Sequence, residues 1–249
     1  MNLNAWQWGF LAAGAFCTGL SKTGLTGLGM LSVAFFANAL PARASTGALL
    51  PLLLAADLFG VTFFRKHASW PHLWRLFPWV VIGVMLGYAA LGHINNNQVQ
   101  KLIGAIILGM VALHIWRQRQ SDLLSARLPQ AWWFAVVAGI LAGFTTMVAN
   151  AAGPVTGLYL LAMDLPKLVF VGTTAWFFLL VNAFKVPFST HLGLITRSSL
   201  VLDATLLVPM IPGALLGPVL LKRMNQRVFD GMVLVLAVAA ALRLLFSAA

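Results

Sequence analysis

Long apolar runs, broken by short clusters of glycine, proline and polar residues, fill this chain almost from end to end. A helix that crosses a bilayer needs roughly 17 to 25 mostly apolar residues. Reading between the punctuating residues predicts such helices at 44–64, 73–92, 98–116, 168–190, 202–221 and 228–246. Two further apolar stretches, 5–40 and 131–164, are too long for one crossing at a rise of about 1.5 Å per residue. Small and polar residues interrupt each near its middle: Gly19, Ser21, Lys22, Thr23 and Gly24 in the first, and Gly143, Thr145, Thr146, Asn150, Gly153 and Pro154 in the second. Each stretch therefore reads as a helical hairpin with two arms of roughly 15 to 17 residues, marginal for full crossing.

Composition narrows the class. Hydrophobic residues make up 61% of the 249 positions and charged residues 8%, against about 25% charged in a soluble domain. Too little charge is present to coat a water-facing surface, which excludes an ordinary soluble enzyme. The net charge of +11 would suggest nucleic acid if Lys and Arg clustered on one solvated face. Here they stand singly or in small groups between apolar runs, the pattern of positive-inside loops. The single Cys17 supports neither a disulfide nor a CxxC pair, and five scattered histidines show no metal-ligand spacing. Ser21-Lys22-Thr23 lacks the glycine that a Walker A lysine follows. No catalytic set, metal site or cofactor is expected, and the first ten residues, without Lys or Arg, do not indicate a cleaved signal peptide.

The basic loops then set sidedness. Arg65, Lys66 and Arg75 fall in one, Arg117, Arg119 and Arg127 in another, Lys222, Arg223 and Arg227 in a third, whereas the loop at 95–97 has none. Placing the three basic loops in the cytoplasm puts Lys167 inside and both termini in the periplasm. Arg43 and Arg197 are the minority left outside.

The two halves repeat one another. At an offset of 125, Pro41 meets Pro166, Gly47 meets Gly172, Asp57 meets Asn182, and Phe59 meets Phe184. Upstream an offset of 124 matches Gly19 to Gly143 and Gly29 to Gly153; downstream an offset of 130 matches Gly83 to Gly213 and Gly87 to Gly217. The expected architecture is an all-α polytopic membrane protein of two repeats, 1–120 and 131–249, joined by a cytoplasmic linker at 121–130. Each repeat is a broken-helix hairpin plus three transmembrane helices, so each starts and ends on opposite sides and the second is inverted. Inverted repeats with broken helices are a transporter architecture, with the substrate site where the breaks meet. Packing alone would explain the GxxxG pairs but explains the polar hairpin tips less well.

Three ionisable residues fall within or beside apolar segments: Lys22, Asp57 and Lys185. A charge near the bilayer centre costs at least ~2.5 kcal/mol and so lines a cavity or finds a partner. Asp57 stands eight residues before Arg65, about 12 Å along a helix. Its plainer reading is a hydrogen-bonded helix contact; that of Lys185 is snorkelling; Lys22 sits at a buried tip only if its hairpin is re-entrant. Lys185 is equivalent to Gly60, one turn from Asp57, so if the two long helices cross near the pseudo-twofold axis, Asp57 and Lys185 come within reach of each other as a conditional pair. Helix starts near Thr23, Gly24 and Asn150 would direct free amides and a positive dipole end at an anion. The candidate substrate-binding set is Lys22, Thr23, Gly24, Asn150, Gly153, Asn182 and Lys185, with Asp57 as coupling or gating group.

The run 19–29 (GLSKTGLTGLG), the run 150–154 (NAAGP), Leu165-Pro166-Lys167, Gly172-Thr173 and the run 182–187 (NAFKVP) resemble the hairpin and helix motifs of the TauE/SafE sulfite exporter family. The resemblance spans essentially the whole chain and both repeats. One departure is Thr26-Gly27, where Pro-Gly is common in similar members. The resemblance implies a bacterial inner-membrane permease for sulfite, sulfonates or related organosulfur anions, working by secondary transport. The implied partners are a small anion, protons and the bilayer, with no nucleic acid; a homodimer is compatible with the pattern but not required by it. Two alternatives stand beside this: a proton-coupled importer of another small metabolite, and a membrane redox or assembly factor, which the solitary cysteine disfavours.

Overall fold

The computed structural model describes residues 3–23, 28–119, 132–163 and 165–223, with scattered positions between 235 and 246. Among the described residues the chain is helical and has no strand. In chain order the helices are α1 (Ala5–Thr23), α2 (Leu28–Ala39), α3 (Ala42–Phe64), α4 (Trp70–His93), α5 (Asn96–Arg119), α6 (Trp132–Ala149), α7 (Gly153–Ala162), α8 (Lys167–His191) and α9 (Arg197–Arg223), with a 3₁₀ turn at Arg65–His67. The crossings expected at 44–64, 73–92, 98–116, 168–190 and 202–221 correspond to α3, α4, α5, α8 and α9, each longer than predicted. The linker at 121–130 lies outside the described residues, as does nearly all of 228–246.

Local chemistry sets several boundaries. Pro41 and Pro166, at φ −51° and −53°, immediately precede α3 and α8, where a residue without an N–H sacrifices no ladder bond. The end of α8 is a Schellman turn. Gly193 takes φ +68°, its amide donates to the Thr190 carbonyl, and the Leu194 amide donates to that of Ser189.

Each hairpin has one long and one short arm, not the near-equal arms the sequence suggested. α1 and α6 have 19 and 18 residues, whereas α2 and α7 have 12 and 10. The breaks come late in each apolar stretch, and Pro41 or Leu165-Pro166 then cuts the second arm short. At about 1.5 Å per residue, a 12-residue arm reaches about 18 Å, too short for the ~30 Å hydrocarbon layer.

Packing exchanges the two halves. The long hairpin arm α1 lies on α9, α6 lies on α4, and α3 packs on α8. Glycines make these approaches possible, because their missing side chains let helix backbones touch. A Cβ at Gly19 would strike the Met210 carbonyl, and one at Gly143 the Val80 carbonyl, which is the same contact with the halves interchanged. Likewise Gly217 lies against Thr23 and Leu20, and Gly87 against Met147 and Phe144. Gly172, near the start of α8, lies against Phe64 at the end of α3 and His67 beyond it, while Gly47, near the start of α3, lies against Leu194 beyond α8. The equivalent helices α3 and α8 therefore run antiparallel.

Two ends of the molecule follow. At one, the Ser69 amide donates to Thr173 Oγ1 at 2.9 Å and Trp176 Nε1 donates to the Arg65 carbonyl at 3.3 Å. At the other, the Arg43 amide donates to Asn96 Oδ1 at 3.0 Å and Tyr88 Oη pairs with His191 Nδ1 at 2.9 Å. Among the described residues five segments are long and apolar enough to cross a membrane: Ala42–His67, Trp70–His93, Trp132–Ala149, Leu168–His191 and Arg197–Leu220. Their outward faces carry large hydrophobic side chains such as Trp74, Trp132 and Val208, which suits lipid rather than water.

Candidate functional site

The antiparallel crossing of α3 and α8 brings the repeat-equivalent Asp57 and Asn182 together. Asn182 Nδ2 donates to Asp57 Oδ2 at 2.6 Å. Both side chains are about 1% exposed, so this contact marks the buried meeting point of the halves.

From it a polar chain runs in both directions. On one side Lys22 Nζ, at the end of α1, pairs with Asp57 Oδ1 at 2.8 Å and stands 3.8 Å from the centre of the Phe178 ring. Gly60 makes room for this approach: a Cβ there would lie 2.9 Å from the Lys22 carbonyl. On the other side Lys185 Nζ donates to Asn150 Oδ1 at 2.6 Å, Thr146 Oγ1 at 3.1 Å and Asn182 Oδ1 at 3.2 Å. An ammonium has three donors, and here all three meet neutral oxygens. Asn150 itself sits in the break between α6 and α7 at φ +51°, a conformation that Asn tolerates better than most residues. Its Nδ2 donates to the Thr46 carbonyl of α3 at 2.8 Å, tying the hairpin break to the opposite half.

The electrostatic balance is uneven. Two lysines stand beside one carboxyl group. Lys22 has its counter-ion; Lys185, 1% exposed, has only dipoles. A small oxyanion arriving here would replace neutral acceptors with a full counter-charge, turning ion–dipole contacts into an ion pair.

Of the residues singled out in the sequence, Lys22, Asp57, Asn150, Asn182 and Lys185 come together. Thr23 does not join them: its hydroxyl donates to the Gly19 carbonyl and it packs against Gly217 of α9. Gly153 opens α7 with nothing within 4 Å of a Cβ built on it. Gly24 and Thr26 lie outside the described residues. The direct Asp57–Lys185 pair expected from symmetry is not formed. Asn182 occupies the position between them, and Lys22, the closer cation on the hairpin, takes the carboxylate. Thr146, one of the polar residues that interrupt the second apolar stretch, is the 124-offset equivalent of Lys22 and accepts from the other lysine. Each half thus supplies one lysine, Lys22 from the hairpin of the first and Lys185 from the long helix of the second. Gly60 and Thr146 stand at the corresponding empty places.

With this geometry in hand, comparison with known proteins places the chain. A family model described as sulfite exporter TauE/SafE matches residues 11–244, nearly the whole length. The chain belongs to that family and is a multi-pass membrane protein of a transporter class. No curated protein and no solved structure gives a significant match.

Proposed function

From that family membership we propose that this chain is a secondary transporter of a small oxyanion, sulfite or a sulfonate, in a bacterial inner membrane. The observation that carries the reading is Lys185, a buried ammonium held by three neutral oxygens and no carboxylate. It supports an anion site at the hairpin break. Lys185 provides the charge, Asn150, Asn182 and Thr146 align it, and Lys22 is a second cation withheld by Asp57 until the anion competes for it. Proton coupling fits the same cycle, because an anion carried alone would move charge across the membrane.

The antiparallel α3 and α8 and the exchanged glycine contacts support two inverted repeats, 1–120 and 131–249. With the basic ends inside, both termini lie in the periplasm. Alternating access then follows as rocking of one repeat against the other around the shared cluster. The test is flux of radiolabelled sulfite, a sulfonate and a small carboxylate into proteoliposomes under an imposed pH gradient. Sulfite or sulfonate flux that Lys185→Met abolishes is expected; a protein that moves none of these anions would sink the reading.

A further inference from the structure

A fourth buried ionisable group lies away from this cluster. Asp203 sits in α9, six residues beyond Arg197, about 9 Å along the helix. It is 5% exposed, and neither carboxylate oxygen has a hydrogen-bond partner among the described residues. No basic side chain among them pairs with it either.

Its place in the repeat explains why. At the 130 offset that aligns α4 with α9, Asp203 is equivalent to Leu73, a 3% exposed core residue. The first half holds an apolar side chain at this position, and the second half puts a buried carboxyl there without a partner among the described residues. Packing therefore gives no reason for it, and an unpaired charge at membrane depth is costly enough that such residues serve proton or ion pathways. A buried carboxyl without a partner escapes the cost by taking up a proton.

Among the described residues, the groups on neighbouring elements do not supply a counter-ion. α9 packs on α1 and α3. On α1 the ionisable side chains are Cys17 and Lys22. Lys22 pairs with Asp57, and Thr23 beside it meets α9 at Gly217, fourteen residues and about 21 Å along α9 from Asp203. On α3 they are Arg43 and Asp57. Arg43 reaches the Ile94 carbonyl and Asp57 is engaged by Lys22 and Asn182. On α9 itself Arg197 is nearly two turns away. The helix beyond Asp203 carries Pro209, Pro212 and Pro218, each removing a ladder bond, so this helix has means to flex.

We infer that Asp203 is the proton site of the transport cycle: it holds a proton while buried and releases it when α9 moves and water reaches it. The inference rests on the transport reading for its role but not for its existence. Two measurements separate these. The first is modification of the detergent-solubilised protein by dicyclohexylcarbodiimide, which adds the O–H of a protonated carboxyl across its C=N bond, read by peptide mass spectrometry. Label on Asp203 that falls as pH rises, with Asp57 unlabelled, is expected; no label at any pH overturns the proton site whether or not sulfite moves. The second is sulfite accumulation under a pH gradient by wild type, Asp203→Asn and Asp203→Leu. Loss of accumulation in both variants is expected, with Asp203→Leu melting no lower than wild type because leucine fits the Leu73-like site. Undiminished accumulation overturns the coupling role. A wild type that is labelled at Asp203 yet moves no sulfite sinks the substrate reading and leaves the proton site standing.

Discussion

The two lysines of the buried cluster differ in what their loss leaves behind. Truncating Lys22 strands Asp57, and breaking a buried ion pair from one side costs about 3–5 kcal/mol. Truncating Lys185 strands neutral acceptors, at about 1–3 kcal/mol for a buried group left unpaired. Lys22→Met should therefore melt well below Lys185→Met, and adding Asp57→Asn to Lys22→Met should recover much of the loss. Anion binding should follow the other order, with Lys185→Met the more damaged. Thermal unfolding in detergent with and without sulfite measures both, and equal melting losses without rescue would disprove the pairing. The sequence exposed these residues because charge is so scarce that each intramembrane instance stood out. It misassigned their partners because an offset gives equivalence, not distance. The pair on the symmetry axis is Asp57 with its own equivalent, Asn182, which leaves no place for Lys185 at the carboxylate.

Between elements, the close contacts are carried by glycine, and not every glycine matters. Gly19 and Gly143 face backbone of the opposite half at distances that leave no room for a methyl, whereas Gly9, Gly92 and Gly109 have nothing within 4 Å of a Cβ. Gly19→Ala and Gly143→Ala should each destabilise by about 1–3 kcal/mol, as overpacking does. Gly109→Ala should match or slightly exceed wild type, since alanine is the better helix former. Melting temperatures of the three variants decide it, and a similar drop at Gly109 would mean that helix propensity rather than interlocking is at work. The repeated GxxxG was legible in the sequence, as were α3, α4, α5, α8 and α9 from apolar length alone. The unequal hairpin arms were not. The small and polar residues that interrupt 5–40 and 131–164 are spread over several turns, at 19–24 and 143–154, so the position of each break depends on tertiary contacts such as Asn150 to the Thr46 carbonyl.

For the molecule as a whole, orientation is the property on which every vectorial statement depends. The contacts collect Arg65, Lys66 and the starts of α4 and α8 at one end, with Trp176 bonded to the Arg65 carbonyl. They collect Arg43, Asn96, Tyr88 and His191 at the other. α4 joins the two ends with 24 residues, about 36 Å, enough to cross once. Exposed tryptophans lie toward both ends, Trp6 and Trp8 early in α1 and Trp70 and Trp74 early in α4, as interfacial aromatic belts do. The basic end should face the cytoplasm. In a Cys17→Ala background, Asn97→Cys should react with a membrane-impermeant maleimide in intact spheroplasts, and Lys66→Cys only after lysis. Both positions are solvent-exposed, so a failure to react reports sidedness rather than burial. The reverse pattern would invert the orientation and with it the side from which Asp203 meets protons. Reaction at both positions in intact cells would mean that α4 does not cross.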